Sequence, residues 1–87
     1  MSTVVFYPQR KERTVVIIGV DPHKDSHTAT AITPGTNNPV ASVRVEASLA
    51  GYRQLLRWAK SFPERQWAIE NARGLGHHVA QWLIARG

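Results

Sequence analysis

The chain has no cysteine, which excludes disulfide bonds and metal sites built from thiolates. It also has no apolar run that approaches the roughly 20 residues of a membrane span. The apolar stretch Val4–Tyr7 is too short for a secretory signal, and the basic residues follow it instead of preceding it. We therefore expect a cytoplasmic protein with no membrane partner.

Acidic residues are scarce. Eleven Lys and Arg stand against six Asp and Glu, which gives a net charge of +5. This balance favours a polyanionic partner, above all nucleic acid, because basic side chains attract phosphates and release their counterions. Many small basic domains bind no nucleic acid, however, so charge alone leaves the partner open.

The first half of the chain predicts a tail followed by three strands. Residues 1–13 are expected to form a basic, disordered N-terminal tail, and residues 14–87 the folded part. The continuous β-branched run Thr14–Val20 is typical of a strand buried on both faces, and Pro22 ends it. Alternating patterns over 26–33 and 40–47, separated by the turn "PGTNNP", predict two further strands in an antiparallel meander.

The second half predicts an α/β fold. Apolar residues at helical spacing indicate an amphipathic helix over 48–61 with Ser48 as its N-cap, and "RQWAIE" over 65–70 returns to a strand pattern. A second helix follows from about Leu75. The order β-β-β-α-β-α requires one more strand to complete a parallel sheet, so we expect the front portion of a larger α/β domain, truncated before the fifth strand. The strand at 65–70 would then be an open edge, which predicts self-association and a homo-oligomer.

Two acids follow strands in this prediction. Asp21 comes directly after the first strand and Glu70 ends the fourth. Parallel neighbours place their carboxyl ends at one edge of the sheet, where two carboxylates can share Mg²⁺ or Mn²⁺. Asp-Pro also begins many turns, so Asp21 taken alone fits a structural role better than a catalytic one, and only the pair with Glu70 favours a site. His23 and Lys24 are candidates to meet a phosphate or to orient a metal-bound water, although His23 also fits an exposed turn histidine.

Two motifs resemble a known family. They are G-x-D-x-H-K with a histidine after two further residues, in "GVDPHKDSH", and I-E before a Gly-x-Gly turn and a helix, in "WAIENARGLGHH". Over residues 14–87 the sequence resembles the N-terminal region of bacterial insertion-sequence transposases. These carry a RuvC-like, RNase H-like DEDD domain.

The resemblance implies a DNA recombinase that cuts and transfers DNA strands during transposition with Mg²⁺ as its cofactor. By motif, Asp21 matches the first acid and Glu70 the second, as catalytic metal ligands. His23, Lys24 and Arg73 become candidates for nucleic-acid contact. The partners implied are DNA and, as in the best-understood members, a guide RNA. The other two acids and a C-terminal domain with a nucleophilic serine fall beyond the final residue, which implies a partial site that is inactive alone.

Two other functions remain open. An ATP-binding domain of the actin and sugar-kinase type also begins with an apolar strand, an acid and a hairpin. Such domains place glycines after the acid to cradle phosphates, and "DPHKDSH" has none. The third possibility is a module that binds nucleic acid without cutting it.

Overall fold

The computed structural model describes residues 2–6, 16–36 and 38–87, and these form one mixed sheet and two helices. The α/β class predicted from the sequence is confirmed. In chain order the elements are β1 (Thr3–Phe6), β2 (Val16–Pro22), β3 (Ser26–Thr33), β4 (Asn38–Glu46), α1 (Leu49–Ala59), β5 (Arg65–Glu70) and α2 (His77–Arg86).

The sheet has the strand order β1-β5-β2-β3-β4. Strands β2, β3 and β4 form the predicted antiparallel meander. The chain then crosses through α1 and adds β5 on the other side of β2, in parallel, with Val20 paired to Ile69. The elements from β2 to α2 therefore follow one another in the predicted order, and β2 lies at the centre of the sheet.

The first strand, β1, corrects the prediction of a disordered tail. It pairs antiparallel with β5, with Val5 opposite Ala68. Val4 and Phe6 pack against the core, so pairing and burial together hold a segment that is too short to signal a strand by itself. Because β5 has a partner on both sides, the predicted open edge at 65–70 is wrong, and this edge no longer gives a reason for self-association. The homo-oligomer itself stays a prediction. Residues 7–15 lie outside the described residues.

Both helices build one core against one face of the sheet. Leu55 of α1 and Leu83 of α2 are fully buried together with Trp67 of β5 and Ile18 of β2. Removing this apolar surface from water stabilises the fold by roughly 25 cal/mol per Å². We call this side of the sheet the covered face; its strand residues include Val4, Phe6, Ile18, Val20, His27, Ala29, Ala31, Val43, Val45, Trp67 and Ile69.

Local contacts fix the helix ends. The Ser48 hydroxyl accepts a hydrogen bond from the Gly51 amide at 3.1 Å, as predicted for an N-cap. The Arg65 guanidinium donates to the carbonyls of Phe62 (3.1 Å) and Gly87 (2.9 Å), so it ties the segment after α1 to the end of α2. No helix in the described part of the chain is long and apolar enough to cross a membrane.

The opposite side of the sheet carries shorter and more polar side chains. Successive strand residues point to opposite faces, so the residues between the buried ones share this second side. None of them belongs to the buried core. We call it the open face; its residues include Thr3, Val5, Ile17, Gly19, Asp21, Ser26, Thr28, Thr30, Ser42, Arg44, Gln66, Ala68 and Glu70.

Candidate functional site

The parallel pairing of β2 and β5 brings the two predicted acids to adjoining positions. The last register pair between the strands is Val20 with Ile69, both buried on the covered face. Asp21 and Glu70 follow this pair directly, so both fall on the open face at the same edge of the sheet, and both are exposed. Neighbouring strands lie about 4.8 Å apart, a separation that lets two carboxylates approach one cation.

A tight turn leads the chain away immediately after Glu70. Asn71 has a φ of 49°, in the left-handed region where asparagine is one of the few tolerated residues besides glycine. Its carbonyl accepts hydrogen bonds from the amides of Gly74 and Gly76, both at 2.9 Å. The left-handed conformation thus explains why an asparagine stands at position 71, and the turn keeps the chain from covering Glu70.

His23 lies beside the first carboxylate. It stands in the short loop between β2 and β3, where its amide donates to the Ser26 carbonyl at 2.8 Å. Its Nε2 lies 3.2 Å from Oδ2 of Asp21, and both side chains are 61 % exposed. His23 can therefore donate a hydrogen bond to the carboxylate and orient it, and a cation that binds Asp21 would compete for the same oxygen.

The other two predicted contacts lie on either side of this pair. Lys24 is exposed in the loop after Asp21 and lines a depression on that side. Arg73 is exposed in the turn after Glu70, and its amide donates a hydrogen bond to the hydroxyl of Ser2 at 3.0 Å. The structure thus brings Asp21, Glu70 and His23 to one edge, with Lys24 and Arg73 flanking it.

The donor set agrees in kind with a hard cation but is small. Magnesium is commonly held by one or two carboxylates together with waters and substrate phosphates. Among residues 2–6, 16–36 and 38–87 there is no group of three or more His, Asp or Glu side chains that could hold a metal ion. A metal at this edge would therefore rest on Asp21 and Glu70, and the remaining ligands would have to come from solvent or substrate.

Sequence reasoning missed two features near this edge. Arg44 of β4 and the hydroxyls of Ser26 and Thr28 join Lys24 around the depression. The signal was present, since the alternation in "VASVRVEA" places Arg44 on the exposed side of its strand. Finding the group, however, required the pairing of Thr28 with both Asp21 and Arg44, which only the register shows.

The second missed feature is His27. It is 1 % exposed on the covered face, and its ring stacks on Tyr52 of α1 with centroids 6.0 Å apart. Neither ring nitrogen has a hydrogen-bond partner among the described residues. Burial lowers the pKa of His27, with a contribution from nearby His23, against the opposing effect of the Ser26 backbone. The sequence signal for this burial was the alternation of His27 with Ala29 and Ala31 along β3.

Comparisons of the chain with protein-family models, with curated proteins and with solved structures found no match.

Proposed function

We propose that this chain is part of an RNase H-like, RuvC-like domain of a DNA transposase or recombinase. Its function would be metal-dependent cleavage and transfer of DNA strands. The observation that carries this proposal is the position of Asp21 and Glu70, exposed on one face at adjoining strand ends. Open α/β sheets place ligands and reacting groups outside such an edge.

The arrangement of the strands supports the proposal. The central strand β2 is followed by two antiparallel strands, the crossover helix α1 and the parallel strand β5. This is the order that the sequence predicts for an RNase H-like domain. The net charge of +5 favours an anionic polymer as substrate. The strand arrangement and the positive charge together make a phosphodiester a more suitable substrate than a neutral small molecule.

The residues have distinct roles in this function. Asp21 and Glu70 would hold the cation, and the His23 hydrogen bond orients the Asp21 carboxylate. A divalent metal supplies neutralisation of the charge that develops on a phosphate during strand transfer. Lys24 and Arg73, on either side of the carboxylates, hold the phosphates of the bound strand by charge attraction.

A second function is favoured by the small donor set. With two carboxylates at the edge and no group of three or more acids and histidines arranged to hold a metal in the described part of the chain, the fold is also suited to bind nucleic acid without cutting it. The two functions differ in one measurable property, because only the first requires a divalent cation at Asp21 and Glu70.

Titration of the protein with Mn²⁺ by calorimetry tests the proposal. We expect Asp21→Asn and Glu70→Gln each to weaken Mn²⁺ binding by about tenfold or more, since one carboxylate ligand is lost in each. Asp25→Asn removes the same charge from the adjacent loop and serves as the matched control, with binding within about twofold of the wild type. Equal affinities in all four proteins would contradict the shared-metal site and favour the binding module.

A further inference from the structure

An open depression lies next to Asp21 on the open face. It has a volume of about 510 Å³ and is formed by the loop between β2 and β3, the first residues of β3 and the facing part of β4. Two permanent cations and two hydroxyl groups point to a ligand with negative charge and several acceptor oxygens. The lining residues are His23, Lys24, Asp25, Ser26, Thr28 and Arg44.

The frame of this depression is fixed by hydrogen bonds. The loop is closed by the bond from the His23 amide to the Ser26 carbonyl, and it is joined to the end of β4 by the bond from the Ala47 amide to the Asp25 carbonyl at 3.0 Å. Nε of Arg44 donates to the Ser26 hydroxyl at 3.2 Å. This bond orients the guanidinium, whose two Nη groups carry four further N–H donors. Such a planar group suits the oxygens of a phosphate.

The register gives the distance between this depression and the carboxylates. Thr28 of β3 pairs with Asp21 on one side and with Arg44 on the other. Arg44 thus lies two strands from Asp21, which corresponds to about 10 Å between their backbones. One bound nucleic-acid strand can therefore contact both positions within a few nucleotides.

We propose that this depression binds the phosphodiester backbone of a nucleic-acid strand a few nucleotides from the phosphate that would meet the cation at Asp21 and Glu70. Lys24 and Arg44 neutralise the backbone charge, and the hydroxyls of Ser26 and Thr28 donate to its oxygens. The inference rests on the proposed function, which it extends by assigning a second contact and the path of the strand across the open face.

Asp25 is the opposing group in the depression. Its carboxylate is exposed and would repel a phosphate, so it lowers the affinity that Lys24 and Arg44 alone would provide. Replacing it with asparagine removes this repulsion. We expect Asp25→Asn to bind nucleic acid about two- to threefold more tightly than the wild type.

Fluorescence anisotropy with a labelled 20-nucleotide DNA strand, in EDTA and at 50 to 200 mM salt, tests the assignment. We expect Lys24→Gln/Arg44→Gln to weaken binding by about tenfold and to reduce the salt slope by about two, because two phosphate contacts are lost. Arg53→Gln/Arg57→Gln on the exposed side of α1 removes the same charge and is the matched control. It should change the affinity by less than about threefold. Arg44→Lys keeps the charge and should retain most of the binding.

The outcomes separate this inference from the proposed function. Equal weakening in the two double variants would show a general charge effect and overturn the assignment of the depression. A strand that binds the wild type and Lys24→Gln/Arg44→Gln equally well would overturn it too, while the Mn²⁺ titration would still decide the proposed function. If ATP displaces the DNA when it is present at the same concentration as the DNA, the depression does not bind a polymer backbone, and the assignment is overturned. If the wild type binds no DNA at 50 mM salt, the assignment of the depression fails, and the Mn²⁺ titration still decides the proposed function.

Discussion

The two faces of the sheet are built from different residues. On the covered face, Trp67 and Ile18 are fully buried beneath the two helices. On the open face, the neighbouring positions in the same strands are Ala68 and Gly19, and the row continues to Thr30. Large apolar residues on one side and small or polar ones on the other indicate that the first face holds the fold together. The second is available for contact with a ligand.

This contrast implies that neighbouring residues of one strand should respond differently to substitution. A covered residue loses packing when it is truncated, and the surrounding structure relaxes only partly. An open residue loses little, since surface substitutions usually change stability by less than about 0.5 kcal/mol. Pairs of adjacent positions are therefore the sharpest way to test whether the faces are assigned correctly.

The largest effect is expected at Trp67. Its ring is fully buried, stacks with Phe6 at 6.4 Å and donates from Nε1 to the Gly87 carbonyl at 3.2 Å. Trp67→Ala should lower the free energy of unfolding by about 3–5 kcal/mol, measured by urea denaturation. Gln66→Ala, one residue away on the open face, should change it by less than about 0.5 kcal/mol. Similar losses in both variants would contradict the assignment of the faces.

A smaller effect is expected at Gly51, with Gly19 as the comparison. A Cβ at Gly51 of α1 would lie 1.9 Å from the Glu46 carbonyl oxygen, which belongs to the backbone and cannot swing aside. A Cβ at Gly19 on the open face would meet nothing within 4 Å. Gly51→Ala should therefore destabilise the protein by about 1–3 kcal/mol, although alanine normally favours a helix.

Gly19→Ala is the matched substitution, and it should leave the midpoint of thermal unfolding nearly unchanged or raise it slightly. If the midpoint falls more for Gly19→Ala than for Gly51→Ala, the close approach of α1 to the end of β4 is wrong.

The third effect depends on pH and concerns His27. Below about pH 6.5, the ordinary value for histidine, an unfolded His27 takes up a proton. In the folded protein burial lowers its pKa, so the ring stays neutral until a lower pH. The unfolded state therefore binds more protons in this window, and stability falls as the pH drops from about 6.5 towards the lowered pKa. The slope is at most about 1.4 kcal/mol per pH unit for one proton.

Urea denaturation at several pH values between 7.5 and 5 measures this slope. His27→Phe keeps a ring against Tyr52 but cannot be protonated, so its stability should fall less over the same range. An unchanged pH dependence in His27→Phe would assign the effect to other groups and remove His27 as its source.

Much of the fold could be predicted because its signals are local. Alternation within β3 and β4 sets their faces, and the helical spacing around Leu55 together with the Ser48 cap sets α1. The short strand β1 could not be predicted in this way. Its partner in β5 is more than sixty residues away, as Thr3 pairs with Glu70, and a four-residue segment acquires its strand form from that pairing.

The candidate site also has parts that the sequence predicts and parts that it does not. Asp21 and Glu70 could be placed together from the sequence because one rule, the common edge of parallel strands, connects them. The depression could not, since it depends on the hairpin register that sets Arg44 two strands from Asp21. His27 was missed for a different reason. Its alternation with Ala29 and Ala31 was a weak signal of burial, and the packing against Tyr52 shows that it is part of the core.

The central claim is that a cation binds at the edge where Asp21 and Glu70 adjoin. Paramagnetic broadening of amide signals by substoichiometric Mn²⁺ tests it directly, because the ion broadens the nearest amides first. We predict early loss of the signals of Asp21, Thr28 and Glu70, and no such loss in Asp21→Asn. Early loss at His77 and His78, the exposed pair at the start of α2, would contradict the account.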